Sequence, residues 1–170
     1  MAAGHLDAGI ARSKPHHPRL TVAAQMADPF CLALTTQQAR VAGNPVELRS
    51  FADHDFVDFT RHRGPAYFEQ SIYLCAKAGF SPHIRYEAST VHGVLDLVGA
   101  GLGVALVPAS CALLRAAGTR FCSLRGPTTS EVLVLLRRKA DPNPLLPTLA
   151  DAVRANFGDL QRRMAEMLGC

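Results

Sequence analysis

Two short turns carry the side chains best suited to chemistry in this 170-residue chain. The first is the run Phe59, Thr60, Arg61, His62, Arg63, Gly64, which sets two guanidinium groups and a hydroxyl immediately before Pro65. Proline at a first helical position gives up an amide that would go unpaired anyway, so a helix is expected to start there. Its free N-terminal amides and the two guanidinium groups would together favour a carboxylate. The turn also follows a short apolar strand, and ligands gather at the C-terminal ends of strands in open α/β sheets. The second turn is Ser89 with Thr90, at the equivalent point one strand and helix later. A blander reading stays open at both places: Arg61 and Arg63 as solvated loop charges, and Ser89 as a helix cap.

Other groupings assemble less. Asp53, His54, Asp55, Asp58 and His62 crowd one segment, but their spacing matches no metal-ligand motif. Ser110 has no G-x-S-x-G elbow around it. Glu69 falls on a helix and Glu87 within a strand, with no reason to converge as an acid and base. His92, in the first turn of a helix, reads as a surface or capping residue. Gly99, Gly101 and Gly103 imitate a phosphate-binding loop, yet they follow a helix and lead into a strand, the reverse of the dinucleotide fingerprint. They are read as a helix C-cap and tight return. Cys31, Cys75, Cys111, Cys122 and Cys170 are odd in number, widely spaced and mostly in apolar settings, which suits reduced core thiols. No enzyme activity, cofactor or metal is expected.

The elements that position the two turns run as strand, helix, strand, helix, strand between residues 56 and 110. Residues 56–59 form a short apolar strand, and from Pro65 the apolar positions Tyr67, Phe68, Ile72, Cys75 and Ala76 recur at helical spacing until Gly79. Ile84, Tyr86 and Ala88 alternate with Arg85 and Glu87 as in a half-buried strand. The next helix, which Ser89 or Thr90 can cap, buries Val91, Val94, Leu95 and Val98. Residues 104–107 are apolar throughout and closed by Pro108, the pattern of a strand buried on both faces of a parallel sheet. Around this block, residues 6–10, 20–24 and 30–34 are strand candidates. Residues 14–18 and 37–45 are expected as loops, and 47–52 as a short helix or turn. Residues 119–124 and 131–137 are expected as two strands joined by a turn over 125–130. A last helix from about Pro144 carries Leu146, Leu149, Val153, Phe157, Leu160, Met164 and Met167 as a core stripe.

With 48% hydrophobic residues the chain can bury a core, and no apolar run approaches a membrane span. The first thirty residues lack a signal-peptide core, so a cytoplasmic location without membrane contact is expected. The net charge is +4. Its excess lies late in the chain, with nine basic against five acidic residues in 112–170. Neither a basic recognition helix nor interleaved aromatics accompany it, so solvated faces explain it better than nucleic-acid binding.

The sequence resembles the effector-binding domain of LysR-type transcriptional regulators. The resemblance is carried by LDAGIA (6–11), DPFCLAL (28–34), CAKAGFSPHIRYEAS (75–89) and above all LVGAGLGVALVPAS (97–110), in matching order over about residues 2–160. It implies an α/β, two-lobed type II periplasmic-binding-protein-like fold with crossovers near 27–34 and 107–112. Residues 1–29 would be a partial lobe I, 30–109 a complete lobe II, and 110–170 the return to lobe I with the final helix. A small effector, a carboxylate or aromatic acid, would sit in the cleft between lobes. Thr60, Arg61, Ser89 and Thr90 would face it, with Phe59, Arg63 and Gly64 beside them. The resemblance also implies a homodimer, weakened if the chain is N-terminally truncated. DNA would be bound only through a helix-turn-helix that precedes this domain in the family and that this chain lacks. A solute-binding protein of the same fold, or a remnant without activity, are the alternatives.

Overall fold

The computed structural model describes residues 6–12, 17–126 and 132–168, and the chain folds as two units. Residues 1–29 with 130–163 make the first, and residues 30–129 with 164–170 the second. In chain order the elements are β1 (Ala8–Ala11), β2 (Leu20–Ala27), β3 (Phe30–Thr35), α1 (Thr36–Ala42), β4 (Asp55–Phe59), α2 (Pro65–Lys77), β5 (His83–Ala88), α3 (Val91–Gly99), β6 (Ala105–Pro108), β7 (Thr119–Ser123), β8 (Val132–Arg138) and α4 (Leu146–Leu168). Short 3₁₀ helices cover Leu48–Phe51 and Ala109–Leu114.

In the first unit β8 is the central strand, antiparallel to β1 on one side and β2 on the other. Its sequence VLVLLRR is rich in branched apolar residues, which pack well on a pleated surface, and Val134, Leu135 and Leu136 are buried. Arg138 fastens the ends of this sheet: it donates to the Leu6 carbonyl and to Asp7, both at 2.9 Å, and pairs with Asp141 at 2.5 Å. Arg12 pairs with the fully buried carboxylate of Asp28.

The second unit holds the two turns. Its β3 is central to an antiparallel sheet ordered β6-β3-β7, and β4 pairs in parallel with β5. The two pieces meet where Val57 N donates to Val104 O (2.8 Å) and Val104 N to Asp55 O (2.9 Å), a parallel bridge beside Phe56. Successive β3 side chains alternate between two cores, as a pleated strand requires. Phe30, Leu32 and Leu34 join Phe56, Leu74, Cys75 and Leu106 on one face, while Cys31 and Ala33 join Val57, Val94, Leu95, Val98 and Val107 on the other. Fully burying each larger apolar side chain contributes about 1.5–3 kcal/mol. Both faces of this sheet are therefore dry, and its strand ends are the natural place for polar function.

Three expectations need correcting. Residues 104–107 are fully buried, but β6 runs antiparallel to β3, and parallel pairing is confined to the single bridge with β4. Residues 119–124 were expected to accompany 131–137, yet β7 pairs with β3 in the second unit while β8 belongs to the first. Residues 37–45 contain most of α1, held by a capping box in which Gln38 N donates to Thr35 Oγ1 (3.1 Å) and Thr35 N to Gln38 Oε1 (3.0 Å). The expected loop at 14–18, the turn at 125–130 and Cys170 fall wholly or largely outside the described residues.

The glycine run behaves as a return, not a cradle. Gly101 adopts a φ of +81°, just past the end of α3. At Gly103 a Cβ would stand 2.6 Å from the Asp55 carbonyl oxygen, so glycine is what lets this segment run against β4. Among the described residues no helix is long and apolar enough to cross a membrane.

Candidate functional site

β4 ends at Phe59 and β5 at Ala88, neighbours in a parallel register, so their two following turns emerge side by side. Thr60 staples them together: its backbone N–H and its hydroxyl both donate to the Ala88 carbonyl at 3.0 Å. The 59–64 turn then tightens on itself, with Arg63 N and Gly64 N donating to Thr60 O at 3.0 and 3.3 Å. Gly64 is the N-cap of α2 and offers no side-chain acceptor, while Pro65 occupies the first helical position. The amino end of α2, with its partial positive charge, is therefore left uncapped beside the turn.

The side chains divide unequally. Arg61 is drawn back onto α2, its guanidinium 5.5 Å from the centre of the Phe68 ring and 3.7 Å from Glu69, with both charged groups well exposed. Such an exposed pair is a weak restraint, worth about 0–1 kcal/mol. Arg63 is exposed and forms no ion pair among the described residues. Phe59 is half-buried and stacks obliquely on Tyr67 at 5.7 Å. On the second turn Thr90 is the cap of α3, accepting from Gly93 N at 3.1 Å, and Ser89 stands exposed before it. The structure thus brings Thr60 and the 88–90 turn together and leaves Arg61 and Arg63 at the rim.

The clusters set aside in the sequence are dispersed, with one exception. Asp55 binds His83 Nδ1 at 2.8 Å and Arg85 at 3.0 Å, and the His83 hydrogen bond, ahead of Arg85, holds its carboxyl below the usual range. His54 stacks on Phe51 at 5.0 Å. No group of histidine, cysteine and carboxylate side chains suited to a metal occurs among the described residues. Cys31, Cys75, Cys111 and Cys122 are buried.

The exception is Asp58, which the sequence groups with polar neighbours and the structure buries. It is 2% exposed, and its carboxyl is pushed up to about 6, first by burial and further by Glu87, against the opposing hydrogen bond from Phe59 N. Glu87 lies directly opposite it in the β4–β5 register. The available signal was an acid inside the apolar run FVDF, where a strand buried on both faces has no wet side.

Comparison with known proteins agrees with the earlier resemblance. The model of the LysR substrate binding domain matches residues 1–158. The chain is 27% identical over 143 residues to the HTH-type transcriptional regulator AlsR of Bacillus subtilis, covering 84% of this chain and 47% of that protein. It spans about half the length of the curated relatives it matches. Among solved structures it is similar to CbnR, a LysR family transcriptional regulator, with a TM-score of 0.70 at 26% identity over 96% of this chain and 54% of that one. The BenM effector binding domain, solved with its effector benzoate, matches with a TM-score of 0.71 at 20% identity over 92% and 72%, which speaks for the fold alone. These relatives are transcriptional regulators, not enzymes. With a family model covering nearly its whole length and a mixed α/β architecture of the type II periplasmic-binding-protein-like kind, the chain belongs to the LysR substrate-binding-domain family.

Proposed function

We propose that this chain senses a small organic anion for a LysR-type regulator, and that the turns at 59–64 and 88–90 hold part of that ligand. The observation that carries the reading is the double hydrogen bond from Thr60 to the Ala88 carbonyl, which sets two strand-end turns and the uncapped amino end of α2 around one spot. A carboxylate there would meet helix amides and could draw Arg61 from its loose pairing with Glu69, with Arg63 unpaired nearby. Ser89 and Thr90 add hydroxyls, and Gly64 leaves the helix end open. The benzoate bound by the BenM domain makes aromatic acids the first class to try. In this reading the second unit acts as lobe II and the first as the part of lobe I contained in this chain. DNA binding and dimer contacts of the whole regulator would then involve further segments, in the cytoplasm.

Thermal-shift titration with benzoate and a set of aliphatic and aromatic carboxylates tests it. Occupancy at one hundred times Kd stabilises by about 2.7 kcal/mol. For a chain this size that is a rise of about 5–10 °C in Tm. The rise should be lost in Thr60→Ala and reduced in Arg61→Ala. A full set of acids that leaves Tm unmoved sinks the proposal.

A further inference from the structure

Asp58 and the turn it precedes form a unit that the ligand reading does not use. Oδ1 accepts from Phe59 N at 2.7 Å, so the carboxyl is bonded to the first residue of the 59–64 turn. Oδ2 is buried without a hydrogen bond of normal geometry among the described residues. The Ser71 hydroxyl, 1% exposed, lies beside it and weakly favours the charged form without completing that bond. From β5 comes Glu87, the next residue after it being Ala88, whose carbonyl receives Thr60. From α2 come Ser71 and the Cys75 thiol, which burial and Asp58 push up to about 12 and so keep neutral, with the Tyr67 hydroxyl committed to Leu106 O at 2.6 Å. Val104, just before β6, and α3 pack on β4 through apolar contacts, with Val94, Leu95 and Val98 from the helix. His83 and Arg85 are engaged by Asp55 at the other end of β4.

We propose that Asp58 is a positioning residue for the 59–64 turn and makes its geometry depend on a proton. The geometry suits the neutral acid: Oδ1 keeps the Phe59 amide, and a proton on Oδ2 removes a buried charge that lies opposite Glu87. Ionised Asp58 sets a second negative charge against Glu87 in a buried setting where Ser71 gives it only weak support, an arrangement relieved by admitting water or letting the turn move. An anion held at the turn shares that repulsion, so its binding is tighter to the protonated form; this last step rests on the ligand reading above.

The test is an amide NMR titration of the full chain between about pH 4.5 and 8. Phe59 and Thr60 amides should titrate together with a midpoint near 6. Asp58→Asn should abolish that titration, and Glu87→Gln, an exposed substitution, should lower its midpoint. Midpoints in the ordinary carboxylate range, or a titration that persists in Asp58→Asn, overturn the proposal. If Asp58→Asn does not fold, an unmoved midpoint in Glu87→Gln overturns it equally. Benzoate thermal shifts at about pH 5.5 and 7.5 separate the two ideas: a larger shift at the lower pH in wild type but not in Asp58→Asn supports the coupling, and equal shifts in wild type remove it. Absence of any shift counts against the ligand reading, while the amide titration still decides the role of Asp58.

Discussion

Asp58 is also the residue at which stability should respond to pH. Its folded-state value, about 6, lies above the ordinary 3.8. A group raised in this way contributes stability that is fully present below the unfolded value and is lost as pH rises through the folded one. The shift corresponds to about 3 kcal/mol, taking about 1.4 kcal/mol per pKa unit. Asp7 and Asp55 act in the opposite sense: their carboxyls are lowered, by Arg138 first and by His83 first respectively, so their contributions are fully present above the unfolded carboxylate value and are lost as pH falls through the folded one. The comparison that isolates Asp58 is therefore wild type against Asp58→Asn. Urea unfolding at about pH 7.5 should find the variant more stable, and the advantage should vanish near pH 4. An equal difference at both values would show that packing, not charge, sets it. The acid inside FVDF signalled its burial, but its repulsion was not legible in advance, because that depends on a register with an irregularity between Phe56 and Val57.

At the scale of elements, caps and breakers were read correctly where an apolar stripe accompanied them. Pro65 opens α2, Gly79 follows its end with a φ of +87°, and Thr90 caps α3 over buried Val94, Leu95 and Val98. α1 escaped because it buries no residue fully and so has no apolar period to detect; only Thr35 and Gln38 at the spacing of a capping box announce it. Thr35→Ala should accordingly cost about 1 kcal/mol, the usual loss for an N-cap. Hydrogen exchange should show the amides of α1 losing protection while those of α3 keep it. Gly103→Ala should be harsher, since its Cβ would meet backbone and not a movable side chain. A drop in Tm well beyond that of Thr35→Ala is the expected outcome, and comparable drops would show that β4 yields easily.

For the whole molecule, pairing was harder to foresee than composition. β7 and β8 are near neighbours in sequence, yet one completes the β3 sheet and the other the β1–β2 sheet. Their local patterns are alike, and only tertiary partners distinguish them. The family motifs at 75–89 and 97–110 placed the second unit's frame, because they fix the strands and helices on both sides of the 88–90 turn. All four described cysteines lie in that second unit, which makes thiol labelling a selective probe of it. In a Cys170→Ser background the four should become reactive in one step as urea is raised. Release in stages would show that its two faces open separately.

One bond has a bearing on selectivity. The Thr60 hydroxyl has a single proton and gives it to the Ala88 carbonyl. What it can still offer is lone pairs. A bare carboxylate oxygen facing Thr60 Oγ1 would meet only another acceptor, whereas a ligand carrying a hydroxyl or an amine at that point would complete the pair. Between two acids of the same shape, the turn should choose the one that brings a hydrogen of its own.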